Sequence, residues 1–171
     1  MRRKSFQGMA CPIARSLERV GEWWSMLILR DAFAGISRFE DFQQSLGIAP
    51  GMLTRRLNAL VESGLLERRR YSERPPRDEY LLTPRGADFA PVLIALLAWG
   101  NRHFTPEGQS LRVVDSRTGK PAEPILVDRA TGRPLTAPDF MVAAGPAATE
   151  ATRRRLARGS RLLDAAAMAA R

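Results

Sequence analysis

Between Pro50 and Ser63, the apolar residues Leu53, Leu57, Leu60 and Val61 fall at i, i+4, i+7 and i+8, the spacing of one buried face of a helix. The residues left to point outward near the start of that helix are Pro50, Gly51, Met52, Thr54, Arg55 and Asn58, with Arg56 at the edge. These types have a shared chemistry. Arginine pairs bidentately with guanine, asparagine pairs with adenine, and threonine or methionine can touch the methyl of thymine. A second basic group follows. Arg68, Arg69 and Arg70 run in an extended segment, then Arg74 and Arg77 flank the rigid pair Pro75-Pro76. Alternation along a strand puts Arg68 and Arg70 on one face and Arg69 on the other. Arginines at a stiff hairpin tip suit a phosphate edge or a minor groove. Solvated surface arginines are the plain alternative at each of these positions.

The chain carries 27 lysines and arginines against 18 acids, a net charge of +9, and all but Lys4 and Lys120 of those bases are arginine. The excess is uneven: residues 1–86 hold +5, residues 87–145 are neutral, and residues 146–171 hold +4. A hydrophobic content of 44% is enough to bury a core, which argues against wholesale disorder. One cysteine (Cys11) excludes an internal disulfide, and one cysteine with one histidine (His103) excludes a Cys/His zinc site, so neither a metal nor a cofactor is expected. No dinucleotide or P-loop glycine pattern and no Gly-x-Ser-x-Gly is present. The longest apolar run, Ala90 to Gly100, is far short of the roughly 20 residues that span a bilayer. Arg2, Arg3 and Lys4 look like the start of a signal peptide, but Arg15 interrupts the weak apolar stretch that follows. A cytoplasmic protein that is not an enzyme, with double-stranded DNA as its first partner and no membrane, is the expectation.

The elements that must position these residues read mainly as helices. Ile13, Leu17, Val20 and Trp24 recur at helical spacing after Pro12; a second helix runs about Trp24 to Phe33, stopped by Gly35. Arg38 to Leu46 makes a short amphipathic helix with Phe39, Phe42 and Leu46 inward, and Gly47 ends it before the Pro50 helix begins. Two helices joined by a glycine turn form a helix-turn-helix candidate. The segment 67–71 and its mate 79–83 form a hairpin around residues 72–78, the wing of a winged helix-turn-helix. Pro84 to Phe104 reads as one long helix, apolar nearly all round, which must bury two faces. A small core accounts for one face, so a second copy of the chain is expected on the other. The candidate dimer residues are Ile13, Leu17, Val92, Leu96, Trp99 and Phe104. Beyond Phe104, residues 113–121 and 126–134 repeat Val-Asp, Thr-Gly and Pro at an offset of 13, each copy a short strand with a Thr-Gly turn. Residues 146–171 are Ala- and Arg-rich and expected to be helical, with an interruption at Gly159.

The ordered series Cys11-Pro12, Gly21, Trp24, Leu27 to Arg30, Gly35, Arg38-Phe39, Gly47-Ile48, Leu53-Thr54, Arg56-Leu57, Leu60, Gly64-Leu65, Tyr71, Pro75-Pro76, Glu79-Tyr80, Leu82-Thr83 and Gly86 closely resembles the HxlR family of bacterial winged-helix transcription regulators. The resemblance covers residues 10–104; residues 105–145, the duplicated extension, and 146–171, the basic tail, lie outside it. It implies a homodimeric DNA-binding regulator, usually a repressor, on an inverted-repeat operator. Members answer to reactive or small-molecule signals, some through an N-terminal cysteine. Some relatives carry a cysteine-rich metal-ribbon segment after the long helix; this extension holds no cysteines. One departure is Ala49, where the helix cap before Pro50 is often serine; the missing cap costs about 0.5–2 kcal/mol unless water, or a phosphate oxygen in a DNA complex, replaces it.

Cys11 has two readings. At a helix N-terminus, with Arg2, Arg3, Lys4 and Arg15 nearby in sequence, its thiol is pushed toward thiolate and suits a redox or electrophile sensor. The alternative is an inert cysteine packed at the dimer seam. Arg38, which opens the first helix of the pair, is a phosphate-contact candidate or a salt-bridge partner of Asp41. Trp24 and Trp99 are expected in the core or seam, Trp23 on a small-ligand pocket, and His103 in a structural role. Two rival functions remain: an enzyme with a winged-helix appendage, which residues 105–171 disfavour because they lack an acid/base pair with a nucleophile, and a module that binds protein rather than DNA.

Overall fold

The computed structural model describes residue 8, residues 11–136 and residues 139–157. Arg2, Arg3 and Lys4 beside Cys11, and the expected interruption at Gly159, lie outside the described residues. The chain divides into two compact units. One comprises Ser16–Pro124; the other joins Met1–Arg15 to Ile125–Arg171.

Within residues 12–103, six helices and a two-stranded hairpin follow one another as α1 (Pro12–Val20), α2 (Trp23–Phe33), α3 (Phe39–Leu46), α4 (Pro50–Glu62), β1 (Leu66–Glu73), β2 (Pro76–Leu82), α5 (Pro84–Ala87) and α6 (Ala90–His103). This is a winged helix-turn-helix. Its core is built from one stripe of each element: Ile28 and Leu29 of α2, Phe42 of α3, Leu53, Leu57 and Leu60 of α4, and Leu66 at the root of β1, all fully or almost fully buried. α3 ends where Gly47 takes a left-handed φ of 60°, with its N–H donating to the Gln43 carbonyl. That reversal sets up the turn into α4. No side chain caps α4; the Ala49 carbonyl accepts from Met52 and Leu53, and Pro50 occupies the first turn, where a missing N–H does no harm.

The hairpin is longer and tighter than the adjacent prolines suggest. Pairing runs from Leu66 opposite Leu82 out to Glu73 opposite Pro76, so only Arg74 and Pro75 form the tip. Pro76 is tolerated because it sits at the first residue of an edge strand. A bulge between Arg70 and Ser72 leaves Tyr71 unpaired. At its base the hairpin is stitched to the helices: the Tyr80 N–H donates to the Ser37 carbonyl at 2.7 Å, and the Thr83 hydroxyl donates to the Gly64 carbonyl at 2.7 Å while accepting from the Gly86 N–H at 3.0 Å.

The expected single helix from Pro84 to Phe104 is two helices. α5 stops at Ala87, and α6 starts at Ala90. The cause is Pro91, which has no N–H to offer the Ala87 carbonyl and so breaks the ladder. α6 itself has no fully buried residue, although most of its side chains are apolar; Trp99 is 52% exposed and stacks edge-on with Phe104 at 4.7 Å between ring centroids. Among the described residues no helix is long and apolar enough to cross a membrane.

The two copies of the repeat fold alike, each closed by a single bridge rather than full strands: Val114 with Pro121 in the first unit, and Val127 with Pro134 in the second. In each copy an aspartate carboxylate accepts from the backbone two and three residues ahead, Asp115 from Arg117 and Thr118, Asp128 from Ala130 and Thr131. The Thr131 hydroxyl also donates to Asp128, which lowers that carboxyl's pKa below its ordinary value. Helical structure follows at residues 150–157.

Two glycines separate packing demand from surface freedom. A Cβ on the buried Gly86 would lie 2.0 Å from the Leu65 carbonyl oxygen, a backbone atom that cannot yield cheaply, whereas one on Gly51 of α4 would meet nothing within 4 Å. Gly86→Ala is therefore expected to lower the unfolding free energy by roughly 2–4 kcal/mol. Gly51→Ala should leave it unchanged or raise it by up to about 1 kcal/mol, as read from urea denaturation midpoints.

Candidate nucleic-acid interface

The leucine stripe fixes the rotation of α4, and with it the side chains that face away. Pro50, Gly51, Thr54, Arg55 and Asn58 are exposed along its outer face, whereas Met52 and Arg56 are only half-exposed. Met52 packs against the core, and its sulfur lies 3.5 Å from an Arg55 guanidinium nitrogen. The Thr54 hydroxyl donates to the Pro50 carbonyl. Arg56 turns the other way. Its guanidinium pairs with Glu22, ahead of α2, at 3.0 Å with 23% of the side chain exposed, and its Nε has no hydrogen-bond partner among the described residues. Arg56 thus braces α4 against the start of α2.

On the wing, cross-strand register decides which arginines keep an unopposed charge. Asp78 sits opposite Arg70 and is gripped by two guanidinium groups, Arg68 at 2.7 Å and Arg70 at 3.2 Å. This pairing raises the Arg70 pKa above its already high ordinary value. On the other face Arg69 makes a forked contact with Glu79, at 2.8 and 3.0 Å. The Glu79 carboxylate also accepts from the Ser37 hydroxyl at 3.4 Å. Arg38 does not pair with Asp41; its backbone bridges to Glu79, and its guanidinium lies 4.6 Å above the Tyr71 ring. The bulge that frees Tyr71 from the ladder accompanies this stacking. Arg74, Pro75 and Arg77 are exposed at the tip, and among the described residues neither arginine has an ion-pair partner. No pairing role for Asp78, Glu79 or Glu22 was assigned from the sequence. Their signal was present: setting Leu66 opposite Leu82 places Arg69 against Glu79 and Arg70 against Asp78.

Of the candidate seam residues, Ile13 and Leu17 on α1, Val92, Leu96 and Trp99 on α6, and Phe104 just beyond it are all exposed apolar side chains. Trp24 packs against the core, while Trp23 is 76% exposed. His103 lies 6.1 Å from both Trp99 and Phe104, ring to ring.

In the second unit, Cys11 stands immediately before α1 and is partly exposed. Its thiol pKa is lowered, first by the Ala14 backbone N–H at the open end of the helix and then by the Arg155 guanidinium, 3.8 Å from the sulfur. The helix terminus is the effect its sequence position suggests. Arg155, 144 residues away, is not.

Comparison with known proteins follows the same elements. The HxlR-like helix-turn-helix model matches residues 19–108. The chain belongs to the HxlR-like helix-turn-helix family. It is 39% identical over 135 residues to the uncharacterised HTH-type transcriptional regulator Rv3095 of Mycobacterium tuberculosis, an alignment covering 78% of this chain and 85% of that one. Among solved structures it is similar to PA1374, a candidate transcription factor of Pseudomonas aeruginosa, with a TM-score of 0.62, 57% identity, and coverage of 85% and 100% of the two chains. It is also similar to the reduced redox regulator HypR, with a TM-score of 0.51, 30% identity, and coverage of 54% and 95%. This HxlR-like protein is a transcriptional regulator with a helix-turn-helix DNA-binding fold, and not an enzyme.

The Cys11 environment makes a direct prediction. Below the thiol pKa the alkylation rate follows the thiolate fraction, so removing a lowering influence must slow it. Arg155→Ala raises the Cys11 pKa toward, but not to, its ordinary value, because the Ala14 N–H remains. Iodoacetamide labelling at neutral pH, followed by mass spectrometry, should be roughly two- to fivefold slower in the variant. The difference should vanish at a pH where both thiols are ionised.

Proposed function

We propose that the regulator works as a homodimeric repressor on an inverted-repeat operator in the cytoplasm, with operator occupancy set by a small-molecule or electrophile signal. α4 enters the major groove, and the hairpin tip touches the flanking backbone. Two-fold symmetry places the half-sites about one helical turn apart, roughly 34 Å, or a multiple of that. The observation that carries this reading is the sorting of arginine. Arg55 is exposed on the outer face of α4 and Arg74 and Arg77 at the wing tip, while Arg56, Arg68, Arg69 and Arg70 are held by carboxylates within the domain. Thr54 and Asn58 flank Arg55 on the same face and supply base-edge chemistry; Pro50, Gly51 and Met52 lie at the end that approaches the DNA. The Arg38 guanidinium, exposed and stacked over Tyr71, is assigned to a phosphate contact in this reading.

The homodimer is supported by the exposed apolar residues of α6, Val92, Leu96 and Trp99, with Phe104 just beyond it, and separately by exposed Ile13 and Leu17 on α1, side chains that water would otherwise cover at a cost. Cys11 as the signal-receiving thiol is supported by its lowered pKa and by the similarity to a redox regulator. An electrophile adding to the sulfur would remove a thiolate and load the start of α1, the helix that also carries Ile13 and Leu17.

Mobility-shift titration on the upstream region of the gene, against scrambled DNA, tests the reading. Arg55→Ala should cost about 1–3 kcal/mol of specific affinity, and Arg77→Ala should weaken all sequences alike and flatten the salt dependence by roughly one counterion. Arg69→Ala should do much less, since its charge is already spent on Glu79. The interface is misplaced if Arg55→Ala binds like the parent, or if Arg69→Ala costs as much as Arg77→Ala. Trp99→Glu should sediment as a monomer at concentrations where the parent is a dimer.

A further inference from the structure

α6 has two apolar sides. Val92, Leu96 and Trp99 fall at i, i+4 and i+7 on the side assigned above to a second copy, with Leu96 at its edge and also lining the groove on the other side. Ala90, Leu93, Ile94 and Leu97 fall at i, i+3, i+4 and i+7 on another side, and this one faces α2 across an open groove of about 440 Å³. That volume is in the range of sites for small organic molecules. Its walls are Leu27 and Phe33 of α2, Leu93, Ile94 and Leu97 of α6, and Leu111 beyond α6. Among the described residues that line it, the one charged group is Arg30 of α2.

The way Arg30 is held says what that charge is for. Its Nε and one terminal nitrogen both lie on the same oxygen of Asp31, at 2.8 and 2.7 Å. Asp31 is only 4% exposed, and its other carboxylate oxygen has no hydrogen-bond partner among the described residues. Burying a carboxylate is costly, and a pair satisfied through one oxygen offsets only part of that cost. What the arrangement provides is a guanidinium fixed in direction at the groove. Its second terminal nitrogen makes no ion pair among the described residues, and nearly half of the Arg30 side chain is exposed. A cation so placed beside an otherwise apolar wall matches a molecule with an apolar body and one acid group, which the fork recognises by a charge-assisted hydrogen bond.

We propose that the groove between α2 and α6 is a ligand site for a small organic acid with an apolar body, the acid held by Arg30 and the body by Leu27, Phe33, Leu93, Ile94 and Leu97. It deepens the small-molecule half of the functional reading, on which it rests only for its regulatory consequence. Binding is read without DNA, so failure here is distinguishable from failure of the operator assignment.

The probe is anilinonaphthalene sulfonate, an aromatic body with one anionic head, compared with phenylnaphthylamine, which has a like aromatic body and no acid, each followed by fluorescence on the full chain. The parent should bind the sulfonate saturably at one site per subunit, about tenfold more tightly than the neutral probe. Arg30→Gln combined with Asp31→Asn, which avoids stranding a buried carboxylate, should erase that preference and leave the neutral probe unchanged. Ile94→Glu, on the exposed wall where a new side chain needs no repacking, should bind neither probe well. Equal affinity of the parent for the two probes, no saturable binding, or parent-like binding of the sulfonate by Ile94→Glu would overturn the proposal.

Discussion

The burial of one leucine stripe governs the geometry of the surface proposed to read DNA. Leu53, Leu57 and Leu60 of α4 are fully removed from water against Ile28, Leu29 and Phe42. Each such side chain contributes about 1.5–3 kcal/mol. Because side chains on a helix are separated by fixed angles, seating that stripe leaves no rotational choice for the rest. Thr54, Arg55 and Asn58 must point outward, and Arg56 must lie at the flank, where Glu22 takes its charge. A helix with no side-chain cap at its N-terminus is thus held in place from below and from the side, and its leading edge stays unobstructed.

Electrostatics then narrows the wing in the same way that packing narrows α4. Five arginines occupy or flank the hairpin, which on charge alone would make a broad basic patch. Cross-strand pairing with Asp78 and Glu79 removes three of them from contention and leaves the charge at the tip. Exposed ion pairs add little stability, about 0–1 kcal/mol each. Their consequence lies in where unpaired positive charge remains, which among the described residues of the hairpin is the tip, at Arg74 and Arg77, rather than along the length of the strands.

How much of this could be read from the residues alone follows from the range of each interaction. Periodicity places α1 to α4 and the core leucines because the signal is contained within one helix. Two extended runs around the adjacent prolines indicate the hairpin, and the apolar run indicates the long helical segment. The break at Pro91 was visible in type and was overridden by the continuous apolar run around it. The wing charges required a register, and the register required knowing that the turn is only Arg74 and Pro75. Arg56–Glu22 and Arg155–Cys11 join residues 34 and 144 positions apart, and no local pattern encodes such pairs. Glu22 in particular looks like any solvated acid until α4 is laid against the start of α2.

α2 joins the two apolar halves of the HxlR-like domain. Its Ile28 and Leu29 form the floor under α4, while Leu27, Arg30 and Phe33 form one wall of the groove shared with α6. A helix of eleven residues, packed on both sides, responds to a load as a body rather than as separate residues. An occupant can shift DNA affinity only by as much as it prefers one placement of α2 over another. For regulation of 5- to 150-fold that preference need be only about 1–3 kcal/mol, less than the burial of a single leucine at the α4 interface. Leu96 stands between the groove side of α6 and the side bearing Val92 and Trp99. In the proposed dimer, a shift of α6 driven by an occupant of the groove would therefore reach the seam through Leu96.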